Sequence, residues 1–156
     1  MTSAQSSSAK SDPFNLSRFL EAQEDTYRDA VEELRLGRKR SHWMWFVFPQ
    51  FDGLGTSLTA RTFAIKSTSE ARGYLKHPVL GQRLVECTNI VNALSGRTVA
   101  EIFGAPDDLK FCSSMTLFGM VAGPGSAFEA ALARYFSGQR DAATVRLIQG
   151  AGFSTG

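Results

Sequence analysis

The chain has 156 residues, 43% apolar and 21% charged, an ordinary globular composition with enough length for one sizeable core. Its formal charge of +2 is too small to attract nucleic acid in bulk, so nucleic acid is not expected as a partner. No apolar stretch approaches the length of a bilayer span and the start, MTSAQSSSAKSD, lacks a secretory apolar run, so neither a membrane span nor a signal peptide is expected.

The Ser-rich residues 1–11 read as a disordered tail. A single helical domain is expected over 12–150, with a short C-terminal tail at 151–156. The first helix is expected within DPFNLSRFLEAQEDTYRDAVEELRLG, where Leu16, Phe19, Leu20, Tyr27, Ala30, Val31 and Leu34 share one face. Asp12 or Asn15 caps its start and Gly37 follows its end. Arg35, Arg38, Lys39 and Arg40 gather at its C-terminal end, where cations suit the helix dipole.

The run from Trp43 to Phe48 is apolar throughout, so periodicity does not separate a buried extended segment from a single helical turn. SLTARTFAIKS, which follows, fits a short strand or an irregular link. Helical signals then return. STSEARGYLKHP opens on a Ser or Thr cap and stops near Pro78. In PVLGQRLVECTNIVNALSG, Leu80, Leu84, Cys87, Ile90, Val91 and Leu94 form a buried stripe. Thr98 and Glu101 make a capping box ahead of a short helix closed by Gly104. APDDLKFCSSMTLFGM starts at Pro106 and is expected to turn Leu109, Cys112, Met115 and Leu117 or Phe118 inward. Ser126 and Asp141 cap the last two helices. The pattern predicts a mainly α fold: one compact multi-helix domain of about six helices, with at most a small β element near residues 43–66. Twelve Phe favour a core with large aromatic volume.

Cys87 and Cys112 form no CxxC or Cys/His cluster. They read as reduced, buried thiols of a cytoplasmic protein. No metal site and no cofactor are expected, because neither histidine sits in an HxxxH or HxH pattern. His77, before Pro78, reads as a capping or surface residue.

RKRSHWMWFVFPQ (38–50) sets both tryptophans beside the densest positive charge. One reading is a pocket for an anionic aromatic ligand: Lys39 on phosphate, Trp43 or Trp45 stacked on a ring, Ser41 and Gln50 as polar contacts, His42 as the neutral-pH proton carrier. The plainer reading is a helix C-terminal charge cluster followed by a core insert. Further along, Lys110, Ser113 and Ser114 share one polar helix face at i, i+3 and i+4. Asp107 and Asp108 read as capping and dipole residues. GMVAGPGS carries no P-loop or dinucleotide fingerprint.

SHWMWFVFPQFDGLG (41–55), HPVLGQRL (77–84) and KFCSSMTLF (110–118) together resemble the bacterial DUF1810 family, over about residues 12–149. The resemblance implies a mainly helical domain and carries no established activity. Some members bear the label calpastatin, which amphipathic helices around an aromatic core give no reason to transfer. If the matching polar positions converge, they form one cleft with an indole wall. A nucleotide-like ligand, such as ADP-ribose or an NAD-derived compound, then fits, to be bound or processed. The alternative is a non-catalytic module that meets a protein partner through exposed aromatics.

Overall fold

A computed structural model describes residues 12–151. The tail expected over 1–11, and residues 152–156 of the expected C-terminal tail, lie outside them. Asp12 opens the first helix: its carboxylate accepts the N–H groups of Leu16 at 2.7 Å and Ser17 at 3.1 Å. The one helix expected from here to Gly37 is two, α1 (Ser17–Glu24) and α2 (Tyr27–Arg35). Two side chains mark the break. The Thr26 hydroxyl donates to the Ala22 carbonyl at 2.8 Å, a local bond that competes with helix continuation. Gln23 is 1% exposed, and its Nε2 donates to the Phe46 carbonyl at 2.7 Å and to Tyr74 Oη at 3.2 Å.

The tryptophan segment resolves to a single helical turn, α3 (Met44–Val47). Beyond a loop, the 58–66 segment is neither strand nor irregular link at its start. It forms α4 (Leu58–Thr62), capped by Ser57, whose hydroxyl accepts Ala60 N–H. Only then does Ile65 pair with Phe51 in an isolated parallel bridge, through Asp52 N–H to the Ile65 carbonyl and Ile65 N–H to the Gln50 carbonyl, both 2.9 Å. That bridge is the β element, and it falls within 43–66. Arg18 ties the segment down, reaching from α1 to the carbonyls of Thr62 and Ala64.

The remaining helices are α5 (Thr68–Lys76), α6 (Leu80–Ala93), α7 (Val99–Phe103), α8 (Asp107–Ala122), α9 (Ala127–Phe136) and α10 (Ala142–Gly150). Ser67, Ser126 and Asp141 cap as expected, and the Thr98–Glu101 box is complete. His77 caps too: Nδ1 accepts Val79 N–H at 3.1 Å and Leu80 N–H at 3.2 Å. The described residues therefore hold ten helices, not about six. The excess comes from the α1–α2 break and from pieces of four or five residues, too short to show a period.

The apolar residues of α8 lie all around it, so it is enclosed. It packs against α5, α7, α9 and α10, while α6 lies against α2, α5 and α9. Leu109, expected inward, is 66% exposed. Phe111 takes that place, with Ser114, Met115 and Phe118 buried on its face. Two residues at 100° each set Leu109 about 200° away. At the α5–α6 corner, Gly81 is needed for contact: a Cβ there would lie 2.0 Å from the Leu75 carbonyl oxygen. The core is a relay of rings. Phe48 meets Phe103 and Phe111 edge-on, Phe103 and Phe111 stack at 4.6 Å, and Phe118 joins Tyr74 to Phe128. Among the described residues, no helix is long and apolar enough to cross a membrane. No group of three or more His, Cys, Asp or Glu side chains gathers there as metal ligands. Both cysteines are free.

Candidate functional site

The basic turn after α2 is held by an acid. Glu33, on the last turns of α2, accepts the backbone N–H groups of Arg40 at 2.8 Å and Ser41 at 3.0 Å. It also accepts the Ser41 hydroxyl at 2.5 Å and the Trp43 indole N–H at 2.8 Å. Burial alone would raise this carboxyl. The bonds from Ser41, Arg40 and Trp43 outweigh it and hold the group down to about 2. Lys39 N–H then donates to the Ile102 carbonyl at 2.7 Å, which fixes the turn against α7.

So placed, the Lys39 side chain is only 8% exposed, and its ammonium contacts Asp107 Oδ2 at 2.7 Å. Asp107 opens α8, and its other oxygen meets Lys110 Nζ, one turn on, at 3.1 Å. Each lysine also faces an indole: Lys39 Nζ lies 5.1 Å from the Trp43 ring centroid and Lys110 Nζ 4.3 Å from that of Trp45. Among Lys39, Asp107 and Lys110, two ammonium groups against one carboxylate leave one formal positive charge. Burial raises the Asp107 carboxyl, and the two lysines more than reverse that, so it lies below its ordinary value. Asp108 is turned elsewhere, with Oδ1 accepting Leu109 N–H.

Segments 39–45 and 107–110 thus converge, bringing Lys39, Trp43, Trp45 and Lys110 together. Ser41 joins through Glu33. Gln50 joins through a small cavity that it shares with Trp45. His42 is exposed and makes no hydrogen bond or ion pair among the described residues. Ser113 and Ser114 are not with the lysines' partners. The Ser113 hydroxyl reaches the Leu109 carbonyl and Asp141, and Ser114 is fully buried with Oγ unpartnered among the described residues. Trp43 is 1% exposed, a core residue with its N–H satisfied internally. Trp45 is half-buried and is the indole left within reach of a ligand.

Glu33 and Asp107 organise the cluster and stand outside the residues expected from sequence. Asp107 had a signal, since its spacing of three from Lys110 places the two side by side on a helix. Glu33 had none: eight and ten residues separate it from Ser41 and Trp43, across a turn.

The family model described as "Protein of unknown function (DUF1810)" matches residues 13–148. The crystal structure of a conserved hypothetical protein from Mycobacterium tuberculosis matches with a TM-score of 0.87 and 56% identity, over 88% of this chain and 99% of that one. No curated protein matches the sequence.

Proposed function

The chain belongs to the DUF1810 family, and on that premise we propose that it binds an anionic, nucleotide-like small molecule at the Lys39–Asp107–Lys110 cluster. The observation that carries this reading is the charge imbalance: two lysines share one carboxylate beside two indoles. A partly desolvated ammonium with half a counter-ion favours an incoming phosphate far more than a solvated lysine does. Lys110 is the group to meet it, since its side chain is 23% exposed while Lys39 is sealed. Trp45 supplies the stacking surface. ADP-ribose and NAD-derived compounds combine the two required features, phosphate and ring.

Binding has more support than turnover. His42, proposed as proton carrier, bonds to no member of the cluster. The alternative of a protein partner held by exposed Trp43 or Phe46 is disfavoured, because Trp43 is buried and Phe46 is packed against the core.

A thermal-shift series tests the proposal with ADP-ribose, NAD, uridine 5′-monophosphate and ribose 5-phosphate. Ligand that binds only the folded state raises the melting temperature. The expected result is a concentration-dependent rise for at least one of these compounds and its loss in Lys110→Gln. That variant leaves the Lys39–Asp107 pair in place, so the fold survives. No rise with any of them, or the same rise in Lys110→Gln, overturns the reading.

A further inference from the structure

Trp45 has a second neighbour that the charge cluster does not use. Beside it lies a small cavity of about 10 Å³, lined among others by Gln50, Gly53, Gly55, Ala60 and Phe63. Gln50 is 6% exposed, and its Nε2 has no hydrogen-bond partner among the described residues. An unmet buried amide donor is costly, and its retention calls for an explanation.

The cavity is roofed by residues 53–56. At one end this roof is anchored by the Asp52–Ile65 bond of the bridge, at the other by the Ser57 cap of α4. Between those anchors, residues 53–56 make no backbone hydrogen bond to any other segment among the described residues. The roof comes close to the benzo edge of the Trp45 indole, and only glycine at residue 55 allows it. A Cβ there would sit 2.7 Å from Ala60 Cβ and 3.1 Å from Trp45 Cη2. Between its ends the segment is held only by packing, Gly53 against the Leu147 side chain of α10 and Gly55 against Ala60 and Trp45, and a short segment without backbone bonds to its surroundings is the kind that opens at low cost.

We propose that residues 53–56 are a movable cover over a ring-binding slot between Trp45 and Gln50, and that the slot takes a planar heterocycle bearing a carbonyl. This rests on the ligand reading of the charge cluster and names the part of the ligand that the cluster does not touch. A cavity of about 10 Å³ is too small for any ring, so the cover must lift. The ring then takes the place of Gly55 beside the indole, and its carbonyl oxygen accepts from Gln50 Nε2. Lys110 Nζ, 4.3 Å from the centroid of the same indole, stands within a nucleotide's length for the phosphate. Binding at Gln50 discriminates by leaving its donor unmet when the carbonyl is missing, so adenine does not satisfy the slot, and among the proposed ligands the nicotinamide end of an NAD-derived compound fits it rather than ADP-ribose.

The test compares uridine 5′-monophosphate with ribose 5-phosphate, which share the phosphorylated sugar and differ by the carbonyl-bearing ring. Calorimetry on the wild-type chain is expected to show the nucleotide bound at least about tenfold tighter, the scale of one base stacked on an aromatic side chain. Gln50→Leu is expected to reduce that preference severalfold and to leave ribose 5-phosphate unchanged. In the wild type, hydrogen exchange at amides 53–56 is expected to change with the nucleotide and not with the sugar phosphate, a readout that needs no variant. Equal affinities for the two, or a preference that survives Gln50→Leu, overturns the slot while leaving the charge-cluster reading intact. If neither compound binds the wild type, the slot falls, and the charge-cluster reading falls with it only when ADP-ribose and NAD also fail to bind.

Discussion

The indole N–H of Trp43 donates to Glu33 Oε1 at 2.8 Å, so the buried indole of the basic segment is fastened to the helix that precedes it. The same carboxylate gathers the N–H groups of Arg40 and Ser41. Glu33→Ala removes the acceptor and strands a buried indole donor. A loss of about 2–3 kcal/mol is expected, the cost of an unmet buried group plus a charge-assisted bond. Denaturant unfolding measures it, and a variant within about 0.5 kcal/mol of wild type contradicts the role.

The same carboxyl has a pH signature. Its ordinary value is 4.5 and the folded state holds it down to about 2. A depressed acid stabilises the fold in full above its unfolded value, and that contribution is lost as pH falls through the folded value. The melting-temperature gap between wild type and Glu33→Gln is therefore expected to be constant above about pH 5 and to close between about pH 4.5 and 2. A gap that widens on acidification refutes the assignment.

Asp107→Asn separates stability from binding. Asparagine offers one acceptor to two ammonium groups and no negative charge, and the Lys39 ammonium stays almost sealed from water. Stability is expected to fall by about 1.5–3 kcal/mol, the range for a hydrogen bond to a charged group. Under the ligand reading, the cluster also becomes more positive, so an anion that binds the wild type is expected to bind the variant more tightly at low salt. Weaker anion binding in a folded Asp107→Asn chain contradicts the proposal that this cluster is the anion site.

Much of this was legible in the sequence, for a physical reason. Caps are local chemistry, and Ser67, Thr98, Ser126 and Asp141 each stand three residues before the N–H they accept, or share a turn with it. The stripe of α6 follows from one period sustained over fourteen residues. What escaped depends on contacts between segments. The break after α1 comes from Gln23 being drawn to Phe46 and Tyr74, 23 and 51 residues away. In α8 the period disappears because neighbours surround it, so Leu109 and Phe111 look alike in sequence while only Phe111 is buried. At the site, Lys39 and Lys110 were recognisable as cations beside aromatic residues. The acid that joins them was read only as a cap, because a cap is what an aspartate at a helix start most often is.

The two thiols are expected to be inert in the native state. Burial pushes the Cys87 thiol up to about 12. Burial first, then the charge of Asp141, pushes Cys112 up to about 11. The thiolate is the reacting species, so at pH 8 each is far less populated than for a free cysteine near 8.5. Labelling with a disulfide reagent at pH 8 is expected to be at least about tenfold slower in the folded chain than in denaturant, for both residues. Rapid native labelling of Cys112, the half-buried one, refutes its placement beside Gln139 and Asp141 ahead of α10.

Arg18 makes five hydrogen bonds, and its replacement tests whether the cover over the Trp45 slot has a fixed base. Nε donates to the Thr62 carbonyl, Nη1 to the carbonyls of Phe14 and Asn15, and Nη2 to the Ala64 carbonyl and Glu70 Oε2, all between 2.7 and 2.9 Å. The ion pair with Glu70 is itself largely buried, at 14% and 4% side-chain exposure. A guanidinium fork presents five N–H groups in fixed directions, whereas an ammonium offers three from one point. Arg18→Lys therefore keeps the charge and the chance of pairing with Glu70, but releases most of the carbonyls that bind α4 and the bridge strand to α1. A loss of about 2–4 kcal/mol is expected, from several hydrogen bonds to a charged group minus what water restores at the exposed ones. A double-mutant cycle of Arg18→Met, which removes the charge, with Glu70→Gln separates the two functions of the side chain: coupling of about 0.5–3 kcal/mol reports the ion pair, and the remainder reports the carbonyl clamp. Exchange protection of Ile65 N–H, which the bridge holds, is expected to drop in Arg18→Lys more than in Glu70→Gln. Equal protection in both variants assigns the anchoring to the ion pair alone and removes the clamp from the account.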